Sequence, residues 1–268
     1  MKRTFKMPAP QLSYLKEVNI DLDMSGRHYA LLAKAKGKLP EDVALSILKD
    51  LMEEDANMLT LAELRYLFMM VKINNLENDY VVNIECQNIN IKKKKICGCI
   101  NQVPVKLQDT DLNPTPSDYT PPKIKFRRDG TEKEYSVIPP TVKQVSQLYD
   151  FFVTQKSADQ IKIVNDDVLS DEFNFLFGIL HLRDSEGNCF VKDTDNFEDL
   201  LDIGLCEDGK TPKPTVRNLN KFSVIRELLK DVIEVGAYGV QETTVDANCK
   251  ECGGRMIVPI PLLDGLLD

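Results

Sequence analysis

This sequence has few histidines and no recognisable catalytic constellation. Only two histidines occur in 268 residues, His28 and His181, and neither belongs to an H-E-x-x-H motif. They are too few and too isolated to predict a histidine-based metalloenzyme or a catalytic triad. Carboxylates are plentiful, as at Asp166-Asp167, but nothing in the sequence marks an acid/base pair among them. We therefore expect the protein not to be an enzyme.

Long apolar segments and positive net charge are also missing, and their absence narrows the choice of partners. No apolar run reaches the roughly 18 residues that cross a bilayer, and residues 1–5 lack the apolar stretch of a secretion signal. Lys and Arg total 34 against 42 Asp and Glu, a net charge of -8, which disfavours nucleic acid and anionic membranes as partners. We expect a protein of the cytosol, or of a particle assembled there, with neither a membrane nor a small-molecule substrate.

What is present is the composition of a globular protein with an unusual arrangement of cysteines. Hydrophobic residues make up 43% of the chain and charged residues 28%, enough to build a proper core. Of the seven cysteines, Cys189 and Cys206 are interpreted as incidental packed thiols. The other five form two clusters, Cys86 with Cys97-Gly98-Cys99, and Cys249-Lys250-Glu251-Cys252. In a reducing cytosol, clustered thiols are more often metal ligands than disulfides.

The two clusters have matching surroundings, which indicates an internal repeat. The same spacing separates Cys97 from Val103-Pro104 and Cys252 from Val258-Pro259, so Cys97 corresponds to Cys252. Residues rich in β-formers precede both clusters, and an amphipathic helix precedes each of these, at residues 61–72 and 224–234. An insertion that contains Lys92 to Lys95 lengthens the first copy. Each half is therefore predicted to be a helix followed by a strand, a cysteine turn and a second strand.

The cysteine spacing predicts one structural zinc site shared by the two halves. Zinc takes four tetrahedral ligands, and Cys249-x-x-Cys252 followed by two glycines is a turn that supplies two of them. Three cysteines compete for the other two positions, and we expect Cys97 and Cys99 in preference to Cys86. An alternative is that one or both clusters hold no metal and the hairpins stand alone. Redox catalysis by Cys249 and Cys252 is disfavoured, because no thioredoxin-like strand and helix surround them.

The remaining pattern predicts an α+β fold of two related helix-plus-β-hairpin units with zinc-ribbon-like cysteine hairpins. Helices are expected from Pro40 and over residues 60–71, 141–153 and 196–203, with a buried helix at 173–180 and a hairpin at 123–138. A proline-rich stretch, which can hold neither helix nor central strand, separates the halves. The predicted organisation is an N-terminal unit at 1–112, a linker at 113–122 and a C-terminal unit at 123–268.

Two further motifs match known patterns in letters only. Gly204 to Thr211 fits the P-loop pattern G-x-x-x-x-G-K-[ST], but Pro212 and Pro214 obstruct the helix that must follow, and nearby carboxylates would repel a phosphate. We expect no nucleotide binding there. Lys92 to Lys95 lack interleaved aromatic residues and are interpreted as a solvated hairpin tip.

The first half also resembles a known family. Leu59-Thr60-Leu61-Ala62-Glu63-Leu64, a strand that ends at Cys86, the cysteine turn and Val103-Pro104-Val105-Lys106-Leu107 are similar to baseplate proteins of T-even-type contractile-tailed phages. That family contains a baseplate hub subunit and a hub assembly factor. The resemblance covers about Pro40 to Leu112 and extends more loosely to the C-terminal hairpin. Such proteins tend to have a compact cysteine pair where this chain has its lysine-rich insertion.

This resemblance implies a non-enzymatic role in a virion or in its assembly. The protein would bind other phage baseplate and tail proteins and help the hub or wedge form in the host cytoplasm, and its place would be the baseplate of the virion tail. The alternative from another class is a zinc-ribbon protein that binds nucleic acid or is associated with transcription. The acidic net charge disfavours this alternative, and salt-sensitive retention on heparin would favour it.

Overall fold

Helices and small antiparallel sheets make up the protein. The computed structural model describes residues 2–35, 40–75, 80–90, 94–105, 114–128, 131–155, 167–192, 196–201, 223–238 and 244–259. The helices are α1 (Gly26–Ala33), α2 (Pro40–Leu51), α3 (Leu61–Asn75), α4 (Val142–Gln155), α5 (Asp167–Leu180), α6 (Phe197–Leu201) and α7 (Ser223–Gly236). The strands are β1 (Lys2–Lys6), β2 (Glu17–Asp21), β3 (Tyr80–Glu85), β4 (Ile89–Asn90), β5 (Lys95–Ile96), β6 (Ile100–Val105), β7 (Lys123–Arg128), β8 (Thr131–Val137), β9 (Leu182–Arg183), β10 (Thr244–Asn248) and β11 (Arg255–Pro259).

The sheets within these described ranges have two or three strands each. β1 pairs with β2, β3 with β6, β4 with β5 and β10 with β11, whereas β7, β8 and β9 form one sheet in that order. All of these pairings are antiparallel. The expected α+β class is confirmed at this level. No helix of the described residues is both long and apolar enough to span a bilayer.

The first hydrophobic core is built by α2 and α3 against the β1–β2 hairpin. Pro40 at the first position of α2, followed by Glu41 and Asp42 in the first turn, suits the start of a helix, because proline needs no hydrogen-bond acceptor there and carboxylates face a positive dipole. The buried residues of α2 are Val43, Ala44, Leu45, Ile47, Leu48 and Leu51. They pack with Leu64, Leu67, Phe68 and Val71 of α3 and with Val18 and Ile20 of β2.

Truncation of Leu48, which is fully buried, tests this core. We expect Leu48→Ala to lower the free energy of unfolding by about 2–5 kcal/mol, because the lost methyl groups leave a cavity. Ile233→Ala is the matched control, since Ile233 is 75% exposed and its loss should cost no more than about 0.5 kcal/mol. Urea unfolding followed by circular dichroism measures both. Equal losses in the two variants would contradict the assignment of Leu48 to the core.

The second core lies between the β7–β8–β9 sheet and helices α4, α5 and α7. The apolar segment predicted as a buried helix belongs to α5, where Phe175, Leu176, Ile179 and Leu180 are buried. Leu148, Leu228, Val232 and Val235 pack against it. Ala9 and Leu12 of the N-terminal segment are members of this core, and Val142 of α4 is a member of the first one. The division into units at residues 113–122 stays a prediction.

A buried arginine fixes the edge of the second core. Arg183 is 2% exposed, and its guanidinium donates to the carbonyl oxygens of Leu180 (2.6 Å) and Leu182 (2.9 Å) and to Oε1 of Gln144 (2.9 Å). Nη1 of Arg183 also lies 3.0 Å from Sγ of Cys189. The predicted incidental thiol Cys189 therefore packs within this polar network, away from the other cysteines of the described chain.

Helices α3 and α4 begin side by side with the same capping arrangement. In α3 the backbone N–H of Thr60 donates to Oε2 of Glu63 (2.7 Å), and in α4 the N–H of Thr141 donates to Oε1 of Gln144 (3.1 Å). In each helix the threonine hydroxyl accepts the N–H of the same partner residue in return, which completes a capping box. The two threonines face each other in an antiparallel bridge. The starts of these helices therefore join the two cores.

Most predicted helices are confirmed, and the differences lie at the strands and at the N-terminus. The helices expected from Pro40 and over 60–71, 141–153 and 224–234 are α2, α3, α4 and α7, and the short helix expected at 196–203 is α6. The β1–β2 hairpin and α1 were not predicted. Some features singled out in the sequence lie outside the described residues. They are the P-loop match at 204–211, the hairpin turn 129–130, residues 109–113 of the proline-rich stretch, Cys206 and Lys92-Lys93.

Candidate metal centre

Two β-hairpins carry the cysteine clusters, and their turns have the same hydrogen bonds. The first hairpin pairs β3 with β6, and the second pairs β10 with β11. In both turns the N–H of the first cysteine donates to the carbonyl oxygen of the residue just before the second strand. The carbonyl oxygen of the same cysteine accepts the N–H of the glycine that precedes that residue. The bonds are Cys86 to Cys99 (2.9 Å) and Gly98 to Cys86 (3.0 Å) in the first, and Cys249 to Gly254 (2.9 Å) and Gly253 to Cys249 (2.8 Å) in the second.

A glycine with positive φ closes each turn. Gly98 has φ of 63° and Gly253 has φ of 71°, a left-handed conformation that L-residues with a side chain adopt at a cost. Cys97 and Cys252 directly precede these glycines and therefore occupy equivalent positions, as the sequence register predicts. The second strands begin at Ile100 and Arg255, because pairing resumes immediately after each turn.

Four sulfur atoms from the two hairpins form one compact group. Cys86, Cys97, Cys249 and Cys252 each offer a sulfur within 4.8 Å of the other three. Sγ of Cys86 lies 3.7 Å from Sγ of Cys252, and Sγ of Cys97 lies 3.8 Å from Sγ of Cys249. These distances exceed a disulfide bond of about 2.05 Å. They match the edge of about 3.8 Å of a tetrahedron whose corners lie about 2.3 Å from a central zinc.

The structure corrects one expected ligand, since it brings Cys86 and not Cys99 into the sulfur group. Cys99 follows the positive-φ glycine and takes the place that Gly254 has in the second turn. Its sulfur lies 3.7 Å from the carbonyl oxygen of Ile100 and outside the four-sulfur group. The signal that identifies Cys86 is the Cys-Gly pair, because alignment of Cys97-Gly98 with Cys252-Gly253 leaves Cys86 as the counterpart of Cys249.

The insertion between Cys86 and Cys97 does not separate their sulfurs, because it folds back on itself. Its ends pair as the short β4–β5 ladder, in which Ile89 faces Ile96. The N–H of Cys97 donates to the carbonyl oxygen of Asn88 (2.8 Å) and continues this closure towards the turn. Cys86 and Cys97 thereby reach the same relation as Cys249 and Cys252, which are only three positions apart.

Two asparagines of the first hairpin hold the second one in place. Nδ2 of Asn88 donates to the carbonyl oxygen of Arg255 (2.9 Å) and lies 3.4 Å from Sγ of Cys86. Asn101 is buried, accepts the N–H of Lys250 at its Oδ1 (2.9 Å), and has its Nδ2 3.6 Å from Sγ of Cys249. These side chains contact both the ligand sulfurs and the opposite backbone. No motif in the sequence pointed to either of them.

Close packing at this junction explains the second glycine of the C-terminal turn. A Cβ atom placed on Gly254 would lie 2.7 Å from Nδ2 of Asn88, closer than real contacts allow. The apolar residues that surround the sulfurs are Val82, Ile84, Val103, Ala247 and Met256. They limit the access of water to the site, which strengthens electrostatic interactions inside it.

The acidity of the four thiols differs because the turns present backbone N–H groups unequally. The N–H groups of Cys252 and Glu251 lower the pKa of Cys249 to about 6. Burial raises the pKa of Cys86. At Cys97 the Cys99 N–H acts to lower the pKa, but burial and the sulfur of Cys249 outweigh it and the pKa is raised. At Cys252 the Gly254 N–H acts in the same way, and the pKa is again raised.

Cys249 ionises most readily, and the other three thiols resist further negative charge beside it. Like charges at such distances disfavour each other's ionisation. A bound cation reverses this relation, because it stabilises every thiolate at once. The four residues present therefore fit a metal ion held entirely by sulfur.

Comparison with known proteins assigns no role to this site, so its chemistry is the main guide to what it does. The chain finds no significant match among protein-family models, curated proteins or solved structures. What the arrangement can do follows from the four sulfurs. A site with four protein ligands and no open position holds structure together rather than activating a substrate.

Proposed function

We propose that this protein is a structural or assembly component of a contractile phage tail baseplate that acts through contacts with other baseplate and tail proteins. The observation that carries the structural role is the four-sulfur group, which fastens a hairpin of the first half to the C-terminal hairpin. The baseplate setting rests on the resemblance of residues 40–112. The protein would work without catalysis, in the host cytoplasm during assembly and in the virion tail.

The proposed metal is zinc, held by Cys86, Cys97, Cys249 and Cys252. An all-sulfur tetrahedral set suits zinc or iron, and zinc is the ion of closed structural sites. Both cysteine hairpins have only two strands, and such hairpins are marginally stable in water on their own. A metal would supply the stability that their small apolar cluster lacks.

The finer architecture proposed is a duplication of one helix-plus-hairpin unit. α3 precedes β3 and β6, and α7 precedes β10 and β11. The matching turn hydrogen bonds, the positive-φ glycines and the two Val-Pro pairs at 103–104 and 258–259 support this origin. Two related hairpins that face each other would form a zinc-ribbon-like junction with approximate twofold symmetry.

The baseplate proposal is tested by the genes on either side of this one and by inactivation of the gene itself. We expect neighbours that encode tail-tube, sheath and baseplate proteins. Lysates of the inactivated phage should contain heads but no tails with complete baseplates under the electron microscope. Intact infectious tails would overturn the proposal. Retention of the purified protein on heparin with a steep salt dependence would favour the zinc-ribbon nucleic-acid alternative instead.

Asn101 provides a test of the proposed zinc site that leaves every ligand in place. We expect Asn101→Ala to weaken zinc binding by about 10- to 100-fold, because it removes the contact with Cys249 and the bond from Lys250. Competition with a chromophoric chelator measures the affinity. Asn83→Ala is the control, since Asn83 is an exposed residue of the same hairpin. Similar affinity in both variants would show that Asn101 has no part in the site.

A further inference from the structure

A pocket of about 230 Å³ lies between the start of α3, the N-terminal segment and the ends of α5 and α7. A cavity of about 150 Å³ is already large enough to hold benzene, so a small organic group fits here. Its walls are largely apolar and include Leu12, Ala62, Glu63, Phe177, His181 and Tyr238. None of the four clustered cysteines belongs to it, so it is independent of the proposed zinc site.

Glu63 is the unusual member of this wall. It is 2% exposed, and its Oε2 accepts the N–H of Thr60, but its Oε1 is buried and has no hydrogen-bond partner within the described chain. The hydroxyl of Ser13, another wall residue, donates to the carbonyl of Ala9 (2.8 Å). Burial raises the pKa of Glu63. Ser13, Thr60 and the charge of Lys16 act to lower this pKa, but burial outweighs them. A buried carboxylate oxygen without a donor is costly, and a ligand that supplies one would remove that cost.

Two other polar side chains line the pocket: His181 adds a hydrogen-bond acceptor, and Arg65 is already paired with a carboxylate. Nδ1 of His181 donates to the carbonyl oxygen of Phe177 (2.8 Å), which leaves its other ring nitrogen as the acceptor of a neutral ring. Burial lowers the pKa of His181 to about 4, so the ring is neutral near pH 7. Arg65, also in the wall, is engaged by Glu41 (2.6 Å). The pocket therefore combines a carboxylate with apolar and aromatic surface.

A second unsatisfied group lies beside this wall. The Tyr119 hydroxyl and Glu63 Oε1 are the buried side-chain polar atoms of the described residues that lack a partner. The ring of Tyr119 contacts the ring of Tyr238, with 4.7 Å between centroids. Buried polar atoms without partners are rare in native proteins, and the one on Glu63 belongs to a wall residue of the pocket.

We propose that this pocket binds a primary alkylammonium group, with Glu63 as its counter-ion. An ammonium has three donors for Glu63 and the neighbouring acceptors, and its alkyl stem suits the apolar walls. Tyr238 offers an aromatic surface to the cation. The same chemistry is found in a free alkylamine and in the lysine side chain of a partner protein.

Titration of the full-length protein with n-butylammonium chloride tests the site, with n-butanol as the uncharged probe of the same shape. We expect n-butylammonium to bind about 10- to 100-fold more tightly than n-butanol in calorimetry or NMR titrations, since hydrogen bonds to a charged group are the stronger ones. Equal affinity for the two probes would overturn the role of the charge. No detectable binding of either probe would leave ordered water as the occupant and would overturn the site.

Glu63→Gln isolates the carboxylate without loss of the helix cap. α4 begins with the same capping box and uses Gln144 in the corresponding place, so glutamine suits this position. We expect this variant to lose the preference for n-butylammonium over n-butanol. Ala62→Met, which fills the pocket from a half-buried position, should weaken the binding of both probes. A preference that survives Glu63→Gln would contradict the assignment.

The source of the ammonium is distinguished by a third probe, Nα-acetyl-lysine N-methylamide. Affinity comparable to that of n-butylammonium would identify a lysine side chain of a partner protein. Binding of n-butylammonium alone would identify a free amine. These readouts need neither the metal nor phage assembly, so failure of this proposal and failure of the proposed function are separate results.

Discussion

Replacement of Cys86 by serine is expected to abolish tight metal binding, whereas replacement of Cys99 by serine should leave it nearly unchanged. The sulfur of Cys86 belongs to the four-sulfur group. The sulfur of Cys99 lies outside this group, although Cys99 is only two residues after Cys97. Loss of one of four ligands should weaken binding by more than the roughly 10- to 100-fold typical of outer contacts. Cobalt titration measures this effect, because tetrahedral thiolate coordination gives strong visible absorption.

The paired design makes the result decisive for the ligand set. Both variants lose one thiol from the same hairpin, so general effects of the substitution are matched. Retention of tight binding in Cys86→Ser together with loss in Cys99→Ser would show that Cys99 is the ligand in place of Cys86. Loss in neither variant would show that neither Cys86 nor Cys99 is a required ligand. Absence of cobalt binding by the unsubstituted protein would show that the sulfurs hold no metal in solution.

Removal of the metal is expected to release the two cysteine hairpins while both helical cores persist. The hairpins have few apolar contacts beyond the small cluster around the sulfurs, whereas α2, α3 and α5 belong to extensive cores. Chelation should therefore speed amide hydrogen exchange in β3, β6, β10 and β11 by at least about 100-fold and leave the core helices protected. Exchange measured by mass spectrometry, before and after re-addition of zinc, gives the comparison.

The outcome also separates a local clip from a general determinant of folding. If all amides lose protection together on chelation, the metal supports the whole fold and the two cores do not stand without it. If the hairpins keep their protection, their mutual contacts through Asn88 and Asn101 are sufficient and the proposed role of the metal is wrong.

The helices could be predicted well because their apolar spacing is local information. Val43, Ile47 and Leu51 lie on one face of α2, and the structure buries all three. The capping box of α3 was not predicted, although Thr60 and Glu63 have the spacing that satisfies the first N–H groups of a helix. The unsatisfied oxygen of Glu63 could not be predicted, because it depends on residues distant in the sequence.

The ligand set was only partly predictable because it depends on closure of the insertion. Cys249 and Cys252 were identified from a compact motif, and Cys97 from its register with Cys252. Cys99 was preferred because it lies only two residues from Cys97, whereas Cys86 lies eleven residues away. Nothing in the local sequence shows that β4 and β5 pair and bring Cys97 close to Cys86. The two Cys-Gly pairs contain the necessary information, because their alignment makes Cys86 the counterpart of Cys249. This alignment could be preferred to the shorter sequence distance of Cys99 only once both glycines were known to have a positive φ.

The β4–β5 ladder makes the length of the segment beyond it irrelevant to the distance between Cys86 and Cys97. A different number of residues between β4 and β5 would therefore leave the two sulfurs in register wherever this ladder forms.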